Sequence, residues 1–404
     1  MAATSEYVEV DPERIATAAA GIDDAGARLS AALLELIETL NRSGAPWGDD
    51  DLGRAFFDGA PDSMGFRAAR DELLDGTAQL ALALRGHAVK AVRMARAWAG
   101  AESGDYPWFR LHATGGDSAT DALRQVAGPE TDTIVGKDPP PAWYLEIEPL
   151  LEELVAGCRR PAGDAAGMES VAQAFDRMAD AIDEVTGAAD QHARRISTDN
   201  AGRDIEAFNE SFTRLSRNGG GYLTDAAAAH RGLAGYCRYM KAEVNAAETQ
   251  FATSIAYLFA LWAIVRLLAA TPEGPIYVVT ALTETRTVGL RLLTLLRGAE
   301  ARAAAAGVSY LGGLDLVRQL TRLGYGLQDG LDLAALGKAA GMGAFAGGAS
   351  GAVYRLLSRA AANGGTLAGL LTDTVPGRLV THTGVGGTVN LATDVAGNAI
   401  DHDG

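Results

Sequence analysis

The sequence of 404 residues predicts an all-α protein: two successive long antiparallel helical hairpins, four-helix-bundle-like, followed by a Gly/Ala-rich helical region. Three observations predict it. Apolar residues recur every seven positions over long stretches, the spacing of helices that bury one stripe against a partner. The rows stop at turn-forming clusters, Asn41 to Pro46 and Asn218-Gly219-Gly220-Gly221. The first row is preceded by Asp11-Pro12-Glu13, in which a capping acid, a proline at the first helical position and an acid in the first turn mark a helix start.

The first hairpin is assigned to residues 1–105. Ile15, Ile22, Leu29 and Leu36 form one row of its first helix, with Ala19, Gly26, Leu33 and Leu40 four residues on. After the connection PWGDDDLGRAFFDGAPDS, a second helix from about Met64 to Ala99 carries the row Phe66, Leu73, Leu80, His87 and Met94. Two long helices joined by a short connection fold back on each other. Residues 106–142 lose the periodicity and end in Asp138-Pro139-Pro140-Pro141, which reads as a stiff linker.

The second, longer hairpin is assigned to residues 143–272. A short acidic helix (about 143–156) leads it, and then Val171, Met178, Val185 and His192 repeat the plan beside Phe175, Ile182, Ala189 and Ile196. Helical character continues past a break near Asn200 through Ile205, Phe208, Phe212 and Leu215. The returning helix has the longest row: Leu223, His230, Cys237, Val244, Phe251 and Leu258. Seam spacing over that length implies a helix of about 65–70 Å.

Residues 273–404 form an apolar, Gly/Ala-rich region with an irregular tail, in which helices at about 277–306 and 308–329 are expected. Its charge differs from the rest. Residues 1–138 have net charge -10, residues 139–270 have -6, and residues 271–404 have 0, within a total of -16. The acidic majority argues against a nucleic-acid partner. The run TQFATSIAYLFALWAIV carries no charge, so residues 249–271 sit near the threshold of a membrane-capable segment. With the small-residue spacing of Gly337, Gly341, Gly343, Gly347 and Gly351 in residues 337–357, they supply the alternative function, a membrane-active or channel-forming helical module.

No catalytic, cofactor or metal constellation emerges, and the chain is read as not an enzyme. Gly341-Met342-Gly343-Ala344-Phe345-Ala346 fits a dinucleotide fingerprint only formally, because the preceding residues read as helix and not strand. No two of the six histidines have the spacing of a helical zinc site. His87, His192 and His230 fall on seam rows, where a polar group serves as a hydrogen-bonded register device. Asp49-Asp50-Asp51 has a structural reason to stand at a helix start. Cys158 and Cys237 are too few for a disulfide framework or a cysteine-rich zinc module.

The motif Pro46-Trp47-Gly48-Asp49-Asp50, followed by Gly53-Arg54-Ala55-Phe56 and a second helix, resembles the Trp-X-Gly type of helical hairpin exported by type VII secretion systems. Here glycine follows the tryptophan directly, so the turn is a variant. Trp47 would plug the open end of the hairpin and Gly48 relieve crowding there, with Gly53 and Phe56 completing the turn. Residues 139–360 resemble the helical delivery region of actinobacterial type VII-exported toxins. The resemblance implies a secreted or cell-surface protein, cytoplasmic before export, that uses a route independent of a signal peptide. The acidic N-terminus, with no apolar stretch after a basic one, fits that expectation.

The implied partners are a secretion ATPase, a small helical-hairpin partner or chaperone, and a downstream toxin domain with its immunity protein. Such substrates carry a Tyr-xxx-Asp/Glu export signal near the end of a hairpin. Tyr7/Asp11, Tyr144/Glu148, Tyr239/Glu243 and Tyr325/Asp329 match that spacing. Placement favours Tyr144/Glu148, in a short helix where both side chains would share an exposed face, over Tyr239/Glu243 inside the long helix.

Overall fold

The computed structural model describes residues 10–59, 65–101, 142–198, 200–216, 221–269 and 271–324. Eight helices and no strand are found among them: α1 (Pro12–Ser43), α2 (Asp51–Phe57), α3 (Phe66–Ala101), α4 (Ala142–Leu154), α5 (Ala165–Thr198), α6 (Arg203–Leu215), α7 (Tyr222–Leu268) and α8 (Gly274–Gly324). The expected linker, the glycine-spaced stretch 337–357 and the C-terminal tail lie outside the described residues.

Helix α1 starts where its sequence dictates. The Asp11 carboxylate accepts hydrogen bonds from the backbone N–H of Glu13 and Arg14, and Pro12 occupies the first helical position. Asp11 also donates its own N–H to Asn200 Oδ1 at 2.7 Å, which ties the start of α1 to the end of α5.

Pairwise contacts set the directions of the long helices. Along α1, Gly26 abuts Ala81 and Leu84 of α3, while Leu40 lies near Phe66, so the two helices run in opposite order. Arg28 meets Glu184 of α5 and the Pro46 carbonyl accepts from Asp164 N–H, so α1 and α5 also run oppositely. Arg238 and Arg231 of α7 pair with Asp176 and Asp183 of α5, again in reverse order. Helices α1 and α7 therefore run one way, and α3 and α5 the other. With α3 also touching α7, the four close a ring around one core.

That core joins both predicted hairpins. Ile22, Leu29, Leu33, Leu74, Leu84, Phe175, Ile182, Leu233 and Met240 are all buried in it, with the seam rows of each helix turned inward. Burying such side chains stabilises by about 1.5–3 kcal/mol each. Helix α6 closes the end of the bundle distant from Trp47, where Phe208 and Phe212 pack edge-on against His87.

Helix α7 continues beyond this bundle, and α8 returns along it. Trp262 Nε1–H donates to Thr285 Oγ1 at 3.0 Å, and Glu243 takes the guanidinium of Arg302, so the two run antiparallel. A second core forms there from Tyr144, Ile147 and Leu151 of α4, Phe251, Ile255 and Leu258 of α7, and Leu292 and Leu296 of α8.

One expectation is corrected. Residues 277–306 and 308–329 were expected as separate helices, but α8 is continuous from Gly274 to Gly324. A lone glycine such as Gly307 costs a helix interior only about 1 kcal/mol, too little to end it. The helix start expected at Asp49-Asp50-Asp51 is that of the seven-residue α2, which Asp50 caps; its length was not legible, since it is too short to show a period.

Candidate functional site

The predicted turn is the junction of the two bundle halves. Trp47 is buried and stacks on Phe57 with ring centroids 4.4 Å apart, and it packs against Phe66 at 5.4 Å and Phe56 at 6.2 Å. Phe56 in turn meets Phe66 at 5.1 Å and Tyr236 of α7 at 4.6 Å. Tyr236 is buried and donates its hydroxyl to the Ala303 carbonyl of α8 at 3.1 Å. One aromatic chain thus links α2, α3, α7 and α8.

Gly48 adopts φ 85°, a left-handed conformation that favours glycine, and a Cβ there would lie 2.8 Å from the Ala162 backbone. Asp50 explains the acidic run beside it. One carboxylate oxygen accepts from Gly53 N–H at 2.7 Å, capping α2, and the other accepts from Ala162 N–H at 2.7 Å. Gly53 is needed because a Cβ would meet the Trp47 carbonyl at 2.4 Å. The expected plug therefore stoppers the whole bundle, with residues 162–164 seated against it. Sequence reading did not bring that segment to the turn, and only the duplicated helical pattern hinted at a shared end.

The two favoured Tyr-xxx-acid pairs sit in different environments. Tyr144 is 3% exposed, packed near Phe251 with the Arg160 guanidinium over its ring. Glu148 accepts from Arg160 N–H at 3.1 Å. The expected exposed face is thus corrected: the apolar side of α4 is the side that carries Tyr144, because it faces α7. Burial foremost, then the Glu148 charge, pushes the Tyr144 phenol up. The same two causes push the Cys158 thiol up to about 12. Tyr239, by contrast, is half-buried and donates its hydroxyl to Glu243 Oε1 at 3.0 Å. The Arg302 hydrogen bonds hold the Glu243 carboxyl below its ordinary range. Asp11 belongs to the α1 cap, while Tyr7, Tyr325 and Asp329 lie outside the described residues.

Two of the seam histidines, His87 and His230, are buried, and His192 is half-buried. His230 Nε2 lies 2.9 Å from Thr77 Oγ1, and Thr77 donates its only hydroxyl proton to the Leu73 carbonyl at 2.7 Å. The imidazole must therefore be the donor through Nε2–H, which leaves Nδ1 as a buried acceptor without a hydrogen-bond partner among the described residues. Burial lowers the pKa of His230 to about 3, and burial with the Lys90 charge lowers that of His87 to about 4. His192 is lowered too, by desolvation first and then by Arg195 and Arg28.

Among the described residues no three His, Cys, Asp or Glu side chains come together to hold a metal. The recess beside Trp47, lined by Leu40, Gly44, Phe66, Arg70 and Val171, encloses about 10 Å³, room for about one water. The chain matches no known family model, curated protein or solved structure.

Proposed function

We propose that this protein is a non-enzymatic substrate of a type VII secretion system, or the delivery portion of a secreted toxin, that works through helix–helix contacts. The observation that carries the reading is the Trp47–Gly48 junction. A tryptophan at the hairpin turn stoppers the core, and the glycine after it makes room for the neighbouring backbone. The apolar seams are occupied within the chain, so a small helical-hairpin partner or chaperone would bind an outer surface and not a seam.

Export needs a signal that the secretion ATPase reads on the folded protein. Tyr239/Glu243 now suits that role better than Tyr144/Glu148, since Tyr239 stays partly exposed while Tyr144 is covered by α7. The test is secretion from the native host of the full chain with Tyr239→Ala and Glu243→Ala, with Tyr144→Ala and Glu148→Ala, and with all four. Loss of the protein from the culture filtrate with the first pair, while cytosolic levels and helical content persist, is the expected result. Undiminished export of the fourfold variant would sink the proposal.

A further inference from the structure

The distal part of the α7–α8 hairpin leaves its apolar side chains uncovered. Leu267 is 79% exposed, Ile276 67% and Val279 63%, and Tyr257, Ile264 and Tyr277 are exposed as well. On the four-helix bundle formed by α1, α3, α5 and the first half of α7, by comparison, the large apolar side chains left exposed among the described residues are Leu82 and Val89. Helix α7 is long and apolar enough to cross a membrane, yet only 22% of its most apolar 18-residue window is buried. That window, unlike the first half of α7, is therefore not covered as a bundle core helix is. Residues 249–265 hold no charge over about 25 Å of helix.

The acidic majority of the chain stops in this region. Residues 249–297 contain Glu273 and Glu284 against Arg266, Arg286, Arg291 and Arg297, a net +2, which the packed α4 and its turn (Glu146, Glu148, Glu152 and Glu153 against Arg159 and Arg160) offset to neutrality; Arg266 pairs with Glu146, and Arg286, Arg291 and Arg297 remain as cations on α8. We infer that the distal α7–α8 hairpin lies in the interface of an anionic lipid bilayer, with its apolar side chains among the acyl chains and its arginines at the headgroups. Apolar area together with basic residues is what holds a helix in that interface. Tyr257 and Tyr277 suit the same depth, where an aromatic ring meets both lipid and water.

Two features decide between this occupant and others. Exposed apolar residues occur on both helices and around a wide arc of α7 (Tyr257, Phe259, Ile264 and Leu267), more than one flat protein face would cover. Fluid acyl chains and headgroups adapt to such a curved surface, with the apolar side of both helices dipped below the headgroups. Spanning is disfavoured, because Thr285 is level with Trp262 and its neighbours Glu284 and Arg286 would be carried into hydrocarbon. An interfacial pose leaves them among headgroups.

The test is flotation of the full chain with vesicles of phosphatidylcholine containing about one third phosphatidylglycerol, and with phosphatidylcholine alone, at low and high salt. Binding to the anionic vesicles that weakens with salt is expected. Ile264→Asp with Leu267→Asp should reduce partition at least about tenfold, since two exposed apolar contacts are replaced by charges. Arg286→Gln and Arg291→Gln should each reduce it about fivefold. Leu82→Asp, on the bundle, should bind as the parent does. All these positions are exposed, and unchanged helical content checks that the variants fold. Absence of binding to anionic vesicles, or equal binding by the Ile264/Leu267 variant, overturns the inference. So does a dimer in solution that the same two aspartates dissolve without any vesicle binding, which would assign the surface to a second copy of the chain. Neither outcome bears on export, which the secretion assay reads separately.

Discussion

His230 of α7 donates its Nε2 proton to Thr77 of α3 across 2.9 Å in the interior of the bundle, and no donor among the described residues reaches its other nitrogen. A charged imidazole at that place would have one proton without an acceptor. His230 stays neutral while folded, with its pKa lowered to about 3 from 6.5, and His87 behaves alike at about 4.

Acid should therefore loosen the bundle. A histidine whose folded pKa lies below its unfolded value binds fewer protons when folded, so its contribution is complete above about pH 6.5 and falls as the pH drops towards the folded value. At pH 5 each of His87 and His230 costs about 2 kcal/mol relative to pH 7. Urea titrations at the two pH values should show this loss. His87→Phe, which keeps a ring against Phe208 and Phe212, should remove about 2 kcal/mol of it. Carboxylates held low by partners, such as Glu243, lose their contribution only at lower pH still.

Thr77→Val should cost about 1–3 kcal/mol at pH 7, because the Nε2–H would be left buried and unpaired. Thermal unfolding of the variant measures it. An unchanged midpoint would mean that the hydrogen bond is replaced from another quarter.

Gly21 faces His192, and a Cβ on it would stand 2.2 Å from the ring. Gly21→Ala should fall short of the roughly 1 kcal/mol that alanine gains over glycine in a helix interior, because the His192 ring must shift to admit the methyl group. His192→Ala removes the ring that creates the clash, so the double variant should be more stable than the sum of the two single effects predicts. A denaturation cycle over the four proteins reads the coupling.

Trp47→Ala should cost about 3–5 kcal/mol, the usual loss for a buried large aromatic. Gly48→Ala should also destabilise, through the positive φ and the contact with Ala162. Chemical denaturation tests both. Hydrogen exchange should show the loosening at residues 162–168 as well as at α2, because the junction holds both.

Cys158 and Cys237 are both buried and sit in different cores. Neither should react quickly with an alkylating agent at pH 8, the Cys158 thiol being pushed up to about 12. Leu151→Ala weakens the attachment of α4 and should speed labelling of Cys158 while leaving Cys237 protected. Equal acceleration at both would mean that the two cores open together.

Much of this architecture was legible in the sequence. Asp11-Pro12-Glu13 marks the start of α1 by local chemistry alone, and the seven-spaced rows point to the buried faces of α1, α3, α5 and α7, whereas α8 showed no such row. A row of apolar residues says that a face is covered, however, and not by what. The rows of α1 and α5 are equally compatible with two separate hairpins or with the single ring that forms. Tyr144 was misplaced for a related reason: spacing puts it on one face with Glu148, but burial depends on α7, more than a hundred residues away. The Trp47 turn was recognised from its residue types, whereas the seating of Ala162 and Asp164 against it depends on a chain return that no local signal encodes.

Helix α7 belongs to both cores and passes between them without a break over 47 residues, about 70 Å. It works as a cantilever. The distal half projects, and the anchored half is clamped by α5 along its salt-bridged edge and by Tyr236 at the root. A sideways load on the far end is carried as bending to that root, where Tyr236 touches Phe56 beside the Trp47 junction. Force applied at one extremity of the molecule is thus delivered to the stopper that keeps the other half closed.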